Sequence, residues 1–192
     1  MRPSRPPDMT PRFPRACGDP AALAIITAVY RPPPECLERQ AVALPPAALW
    51  ILVDDSGTDS ASSRLRALAT DRPNTVVLPN QGNFGLASAL NRGVRHLAES
   101  GTSRELVLLL DQDSTPWPGA VEELLATFHA LDAAVPVGCV GPDLIDGSTG
   151  RRHGFHQVLG PFWSRIFPHE WQGPVRCDNL NGSGTLLLCS GM

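Results

Sequence analysis

Apolar residues fall into short unbroken runs, separated by stretches where they recur every three or four positions. Leu23 to Tyr30 is apolar and β-branched and predicts a first strand. Arg31 and the three prolines after it stop that strand, because proline brings no ladder N–H. Glu35 to Leu44 places Leu37, Ala41 and Leu44 on one helical face, and Pro45-Pro46 ends it. Leu49 to Val53 is a second buried strand, followed by a helix over Ser60 to Ala69 capped by Asp59 or Ser60. Thr75 to Leu78 is a short third strand. Leu86, Ala89, Leu90, Gly93, Val94 and Leu97 keep helical spacing most closely, and the small Ala87, Ala89 and Gly93 would let that helix sit tight on a sheet. Leu106 to Leu110 is a fourth strand, and Val121, Leu124, Leu125, Phe128 and Leu131 line a helix over Ala120 to Leu131. Val137 to Ile145 reads as a further strand bent by Gly141-Pro142, and Thr185 to Cys189 as the last.

Strand and helix alternate from Leu23 to Ile145. This predicts an α/β fold, a mostly parallel sheet covered by helices on both faces. Between Asp146 and Asp178 no period holds, which reads as a long irregular segment. The apolar run Thr185 to Cys189 stops almost at the terminus, so the sheet is expected to be incomplete at the C-terminus. Residues 1–20 are rich in Pro and Arg and poor in large apolar groups, and are expected to form a disordered tail ahead of one domain over 21–192.

Composition narrows the class. At 42% hydrophobic and 18% charged residues the chain can bury a core. A net charge of −3 gives no reason to expect a nucleic-acid partner. All 16 basic residues are arginine, which removes any mechanism needing a lysine. Cys17, Cys36, Cys139, Cys177 and Cys189 are scattered without metal or disulfide spacing and read as small buried residues in a reducing compartment. No run is long enough to span a bilayer, and the N-terminus has arginines but no apolar h-region, so it is not expected to act as a secretory signal. His153 and His156 lack metal-site partners, and Arg151-Arg152 reads as a solvated pair. Phe155, Phe162, Trp163 and Trp171 could line an acceptor surface, but core beneath a long loop is the preferred reading.

The candidate chemistry sits where two apolar strands end in acids. Leu106 to Leu110 runs into Asp111-Gln112-Asp113-Ser114, and Leu49 to Val53 into Asp54-Asp55. The carboxyl ends of such strands are where open α/β sheets bind ligands. Asp111 and Asp113 are spaced to hold a hard divalent cation, Mg2+ or Mn2+, with diphosphate oxygens and water completing its shell. Asp54 and Asp55 could accept hydrogen bonds from a nucleobase or ribose, or simply cap the next helix. Tyr30 could stack on a base or be an ordinary strand-end aromatic. Asn83 and Asn91 are candidate ligand contacts, Asn91 the stronger because it lies beside the inward helix face.

Four stretches together resemble the family 2 glycosyltransferases of the GT-A fold, and most of all their rhamnosyltransferase branch. They are Ala28-Val-Tyr-Arg-Pro32, Val53-Asp-Asp-Ser-Gly-Thr-Asp59, Asn80 through Gly93, and Leu109-Leu-Asp-Gln-Asp-Ser114. Asp178 to Gly184 resembles the family's acidic, Ser-Gly-bearing strand near the acceptor. Two departures stand out: Val29 where Thr or a small residue is usual, and Asp-Asp-Ser-Gly where Asp-Asn-Gly-Ser or Asp-Asp-Gly-Ser is usual.

The resemblance implies a donor-binding half over about 21–145 and part of an acceptor region over 146–192. It implies that Asp55, with Asp54 as alternate, meets the base and ribose of a nucleoside-diphosphate-sugar donor, with Tyr30 near the base. Asp111 would contact ribose or metal, and Asp113 would hold the cation. It further implies an inverting transfer, with rhamnose the suggested sugar, to a cell-surface polysaccharide or lipid-linked acceptor. The expected location is cytoplasmic or peripheral at the inner face of the plasma membrane. The catalytic base is expected beyond Met192, so this chain would bind donor yet transfer poorly. Two rivals are an inactive nucleotide-sugar-binding fragment and a haloacid-dehalogenase-like phosphatase. The latter would use Asp111 as nucleophile and Asp113 as acid/base in Asp111-Gln-Asp-Ser-Thr115, but it normally needs the motif on an early strand and a later cationic residue, commonly lysine.

Overall fold

The computed structural model describes residues 19–102, 104–170 and 173–189. The expected tail falls almost wholly outside this range, as do Cys17, Trp171 and Ser190 to Met192. In chain order the strands and α-helices are β1 (Leu23–Val29), α1 (Pro34–Ala43), β2 (Leu49–Asp54), α2 (Asp59–Thr70), β3 (Thr75–Pro79), α3 (Leu86–Glu99), β4 (Leu106–Asp111), α4 (Ala120–Asp132), β5 (Cys139–Val140), β6 (Phe155–Leu159), β7 (Phe162–Ile166) and β8 (Thr185–Leu188).

The main sheet has the order β3-β2-β1-β4-β8-β5. β1 pairs in parallel with β2 and β4, and β2 with β3, while β8 runs antiparallel between β4 and β5. The predicted mostly parallel α/β sheet is therefore present. Its unbroken apolar runs follow from burial on both faces. Leu23, Ile25, Val29, Trp50, Leu52 and Leu108 pack under α1, α2 and α4 through Leu37, Leu44, Leu65, Leu125 and Phe128. The alternate residues Ala24, Ile26, Ile51, Val53 and Val107 point to the opposite face, where Ala89 and Leu97 of α3 cover them. α3 sits so close that a Cβ on Gly93 would lie 2.6 Å from Ile26 Cγ2. Ala89 is fully buried as expected, whereas Ala87 faces solvent.

Several expectations need correction. α2 is capped by Thr58, whose Oγ1 accepts the Ala61 N–H, and not by Asp59 or Ser60. Of Val137 to Ile145 only Cys139–Val140 is strand, because Gly141-Pro142 ends the pairing; Ile145 keeps one isolated bridge to Arg152. The segment expected to be irregular contains the β6–β7 hairpin, paired from Phe155↔Ile166 to Leu159↔Phe162 around Gly160-Pro161. Its tip carries Phe162 and Trp163 at 75% and 68% exposure, so these are not core, while Phe155 is buried. Of the four described cysteines only Cys36 is buried and Cys139 is exposed; all four are free. Arg152 is not simply solvated: it forms an ion pair with Asp143.

Candidate functional site

Parallel register brings the acids to one edge of the sheet. Val29 at the end of β1 pairs with Asp54 on one side, and Ala28 pairs with Asp111 on the other. Neighbouring strands are about 4.8 Å apart, so the acidic tips of β2 and β4 flank β1 at about 10 Å backbone separation. The two acidic tips then behave differently.

The carboxylates after β2 are turned into the protein. Asp54 is buried, with Oδ1 accepting the Ser56 N–H at 2.9 Å and Oδ2 accepting the Ser62 hydroxyl at 2.6 Å. Asp55 is also buried. Its Oδ1 accepts from Asn80 Nδ2 at 2.7 Å and Phe84 N–H at 3.0 Å, and its Oδ2 from Phe84 N–H at 2.9 Å and Gly85 N–H at 2.8 Å. A carboxylate offers about four lone-pair sites, and here three protein donors address them, with the Phe84 N–H shared between both oxygens. Burial works against ionisation of Asp55, but the Phe84, Asn80 and Gly85 donations outweigh it and hold its pKa below the usual carboxylate value. The expected contact of Asp54 and Asp55 with a nucleotide thus meets oxygens that are already engaged. Asp55 fastens the 80–85 loop to β2 and feeds charge to the start of α3, where negative charge is favoured. Arg92 extends the chain of contacts through Asn80 Oδ1 and the Pro79 carbonyl. Gly57, at φ +67, would bring a Cβ to 2.9 Å from Gly82 Cα, so the two loops meet glycine to glycine.

The turn after β4 is the converse: its backbone is held and its acids are left open. Asp111 N–H donates to Ser183 Oγ at 2.9 Å, and Ser114 N–H closes the turn onto the Asp111 carbonyl at 3.1 Å. Gln40 Nε2 donates to the carbonyls of both Asp111 and Ser114, each at 2.6 Å. Ser183 Oγ in turn donates to Ser114 Oγ at 2.8 Å. The strand after it begins at Thr185, so Asp178 to Gly184 is a loop and not itself a strand. Asp111 is half-buried and Asp113 exposed. Burial, and then the charge of Asp113, push the Asp111 pKa above its ordinary value. A half-buried carboxylate beside a second acid is relieved by a bound cation. Among the described residues no group of three or more His, Cys, Asp or Glu could hold a metal. Two carboxylates suit Mg2+ or Mn2+, which keep several waters and share substrate phosphates in place of an all-protein cage.

Tyr30 stands just beyond β1 at 42% exposure, with the Arg31 guanidinium 5.3 Å from its ring centroid. Arg31 has φ +45, uncommon for a non-glycine residue, and its N–H donates to Ser56 Oγ at 2.8 Å. Asn83 is exposed and its Oδ1 accepts the Gly85 N–H at 3.0 Å, which makes it part of the loop's own framework. Asn91 is exposed on α3, one step off the buried Ala89–Gly93–Leu97 stripe. A cleft of about 680 Å³ opens between α1 and α2, with Arg31, Pro32, Thr58, Ser60 and Arg64 on its wall; none of the four acids lines it. Gln40, Gln112 and Ser183 were not singled out by sequence. Gln112 lies inside the recognised tetrad and Ser183 inside the Ser-Gly loop, so both had a signal; Gln40 had only its place beside an inward helix face.

Comparison with known proteins agrees with this architecture. The model for glycosyl transferase family 2 matches residues 34–184. The N-acetylglucosaminyl-diphospho-decaprenol L-rhamnosyltransferase of Mycobacterium tuberculosis, in strains H37Rv and CDC 1551, is 29% identical over 178 residues. That match covers 84% of this chain and 56% of the relative, so the chain spans little more than half the relative's length. The mannosyltransferase PcManGT from Pyrobaculum calidifontis, solved with GDP-Man and Mn2+, superposes at a TM-score of 0.51 with 23% identity, over 67% of this chain and 36% of that one. This last likeness shows that the GT-A fold is shared. With 34–184 matched along the strands and loops that carry the acids, the chain belongs to glycosyl transferase family 2.

Proposed function

We propose that this chain binds the donor of a glycosyl transfer from a nucleoside diphosphate to a lipid-linked saccharide, with rhamnose as the sugar. The observation that carries this reading is the Asp111–Ser114 turn: its backbone is held by Gln40 and Ser183 while Asp111 and Asp113 keep their carboxylates open. The similarity to a rhamnosyltransferase whose name specifies a decaprenol-linked acceptor supports both the sugar and the acceptor class.

In this reading Asp111 and Asp113 hold a divalent cation against the donor diphosphate. When bound, such a cation offsets charge on the departing nucleoside diphosphate. Tyr30 and the Arg31–Ser56 contact form the wall on the β1 side. Asp55 and Asn83 shape the 80–85 loop behind it, and Asn91 is left as an exposed contact on α3. The acceptor hydroxyl attacks the sugar carbon from the face opposite the leaving diphosphate, so the configuration inverts, and a base takes its proton. Three acids of the acceptor side have partners within the chain: Asp143 pairs with Arg152, Asp146 with Ser148 and Thr149, and Asp178 with the Val158 N–H. None of these is assigned as the base. A lipid-linked acceptor places the reaction at a membrane surface, and no helix among the described residues is long and apolar enough to cross one.

The test is calorimetric titration of the chain with dTDP, UDP and GDP, with and without Mn2+. Metal-dependent binding, tightest for dTDP and lost in Asp113→Ala, is expected. Equal weak binding in the presence and absence of metal would refute the cation site, and a preference for GDP would refute the sugar assignment.

A further inference from the structure

We infer that Gln40 is a positioning residue for the cation site, holding the Asp111–Ser114 turn in the shape that lets its two carboxylates act together. This inference rests on the cation reading of that turn proposed above.

Gln40 lies on α1, far in sequence from the turn, and is 0% exposed. A glutamine amide is rarely left in such a place unless it is fully satisfied, since a buried unpaired polar group is costly. Here each functional atom has a partner. Trp50 Nε1 donates to Thr27 Oγ1 at 3.0 Å, and the Thr27 hydroxyl donates to Gln40 Oε1 at 3.3 Å. The amide nitrogen has two protons, and they go to the Asp111 and Ser114 carbonyls at 2.6 Å each. These are the first and last residues of the turn that bears both acids. The line from Trp50 to Ser114 thus crosses from β2 through β1 and α1 to the loop after β4.

Direction matters along this line. The Asp111 and Ser114 carbonyls can only accept, which turns the amide NH2 toward them and leaves Oε1 facing Thr27, whose hydroxyl accepts from the indole and donates to Gln40. No other residue type of this size offers one acceptor on one side and two donors on the other, apart from the shorter asparagine. A merely apolar filler such as methionine would occupy the volume, remove the donor to the Ser114 carbonyl and leave the Asp111 carbonyl with the Ser114 N–H alone. The turn would then be free to change the relation between Asp111 and Asp113. Residues that orient a metal's ligands without touching the metal typically change its affinity by about 10–100-fold when replaced.

The measurement is Mn2+ binding to the whole chain, read from the loss of the free-ion electron paramagnetic resonance signal, with thermal melts alongside. Wild type is expected to bind and Asp113→Asn not to. Gln40→Met is expected to weaken Mn2+ about 10–100-fold. Gln40→Glu, which keeps the acceptor for Thr27 but sets an oxygen against the two carbonyls, is expected to do the same and serves if the methionine variant fails to melt cooperatively. Leu125→Ala, a buried core truncation on α4, controls for lost stability: its melting temperature should fall while its Mn2+ affinity stays within about 3-fold of wild type. Wild-type affinity in folded Gln40→Met or Gln40→Glu overturns the inference, as does an equal loss in Leu125→Ala. A wild-type isotherm identical to that of Asp113→Asn overturns the cation reading itself, and this inference with it.

Discussion

The side chain of Gln112 pairs with the backbone of Tyr30 as a second peptide would: Oε1 accepts the Tyr30 N–H at 2.7 Å, and Nε2 donates to the Tyr30 carbonyl at 3.3 Å. β1 has stopped pairing by this point, so the glutamine extends the β1–β4 ladder by one side-chain rung. It ties the aromatic after β1 to the acidic turn after β4. Replacing Gln112 with Ala removes two contacts at a partly exposed position, worth about 1 kcal/mol together. The Tyr30 amide should then exchange with deuterium about 5-fold faster, while amides in the middle of β1 keep their protection. Uniform loss of protection along β1 would mean the pairing serves the whole sheet and not its tip.

Asp113 should separate function from stability. It is exposed, and its charge helps push the Asp111 pKa up. Asp113→Asn removes that repulsion without creating a cavity, so thermal stability should stay within about 0.5 kcal/mol of wild type or rise slightly. Metal-dependent nucleotide binding should nevertheless disappear. Paired thermal melts and calorimetry check this. A large destabilisation would show that Asp113 is part of the framework and not held open for a ligand.

Strands β1 to β4 and α3 were legible because their physics is local. A continuous apolar run can be read without knowing its neighbours, and so can the 3.6-residue period of Leu86 to Leu97. The parallel direction of β1 to β4 followed from alternation. What escaped reading was set by partners far away in sequence. Gln40 reads as one more polar helix position, and its partners at Asp111 and Ser114 lie 71 and 74 residues on. Asp54 and Asp55 were legible as acids at a strand end, but not as carboxylates that accept hydrogen bonds from Ser62, Asn80 and the loop amides. The β6–β7 hairpin was hidden for another reason. Its tip is apolar on both faces, so the period-two alternation fails there, and Gly160-Pro161 was the one available turn signal.

Close packing of α3 makes Gly93 a demanding position. An alanine there gains helix propensity of about 1 kcal/mol but drives its Cβ to 2.6 Å from Ile26 Cγ2 and 3.3 Å from Val53 Cγ2. Both partners are buried, branched near the backbone and unable to swing away. Overpacking of this kind costs about 1–3 kcal/mol, so Gly93→Ala should lower the melting temperature on balance. Chemical denaturation of Gly93→Ala, Ile26→Ala and the double variant tests the cause: the double variant should be less destabilised than the sum of the singles. Strict additivity would place the damage elsewhere.

The acid dependence of the fold should report Asp55. Its pKa is depressed in the folded chain, so the unfolded chain takes up its proton first as pH falls. The ionised side chain therefore contributes its full stabilisation above the unfolded value near 3.8 and loses it as pH drops through the lower folded value. Asp55→Asn cannot reproduce the site, because an amide presents one acceptor oxygen and turns an NH2 toward the Phe84 or Gly85 N–H. Replacing hydrogen bonds to a buried charged group should cost about 2–3 kcal/mol at pH 7. Thermal melts of wild type and Asp55→Asn from pH 7 to pH 3 should show a gap that is constant down to about pH 5 and narrows below about pH 4. Amide exchange at Phe84 or Gly85, whichever faces the new NH2, should rise in the variant at every pH, since that donor loses its Asp55 acceptor. A gap independent of pH, with unchanged protection at both amides, would mean that something other than the Asp55 carboxylate holds the 80–85 loop against β2.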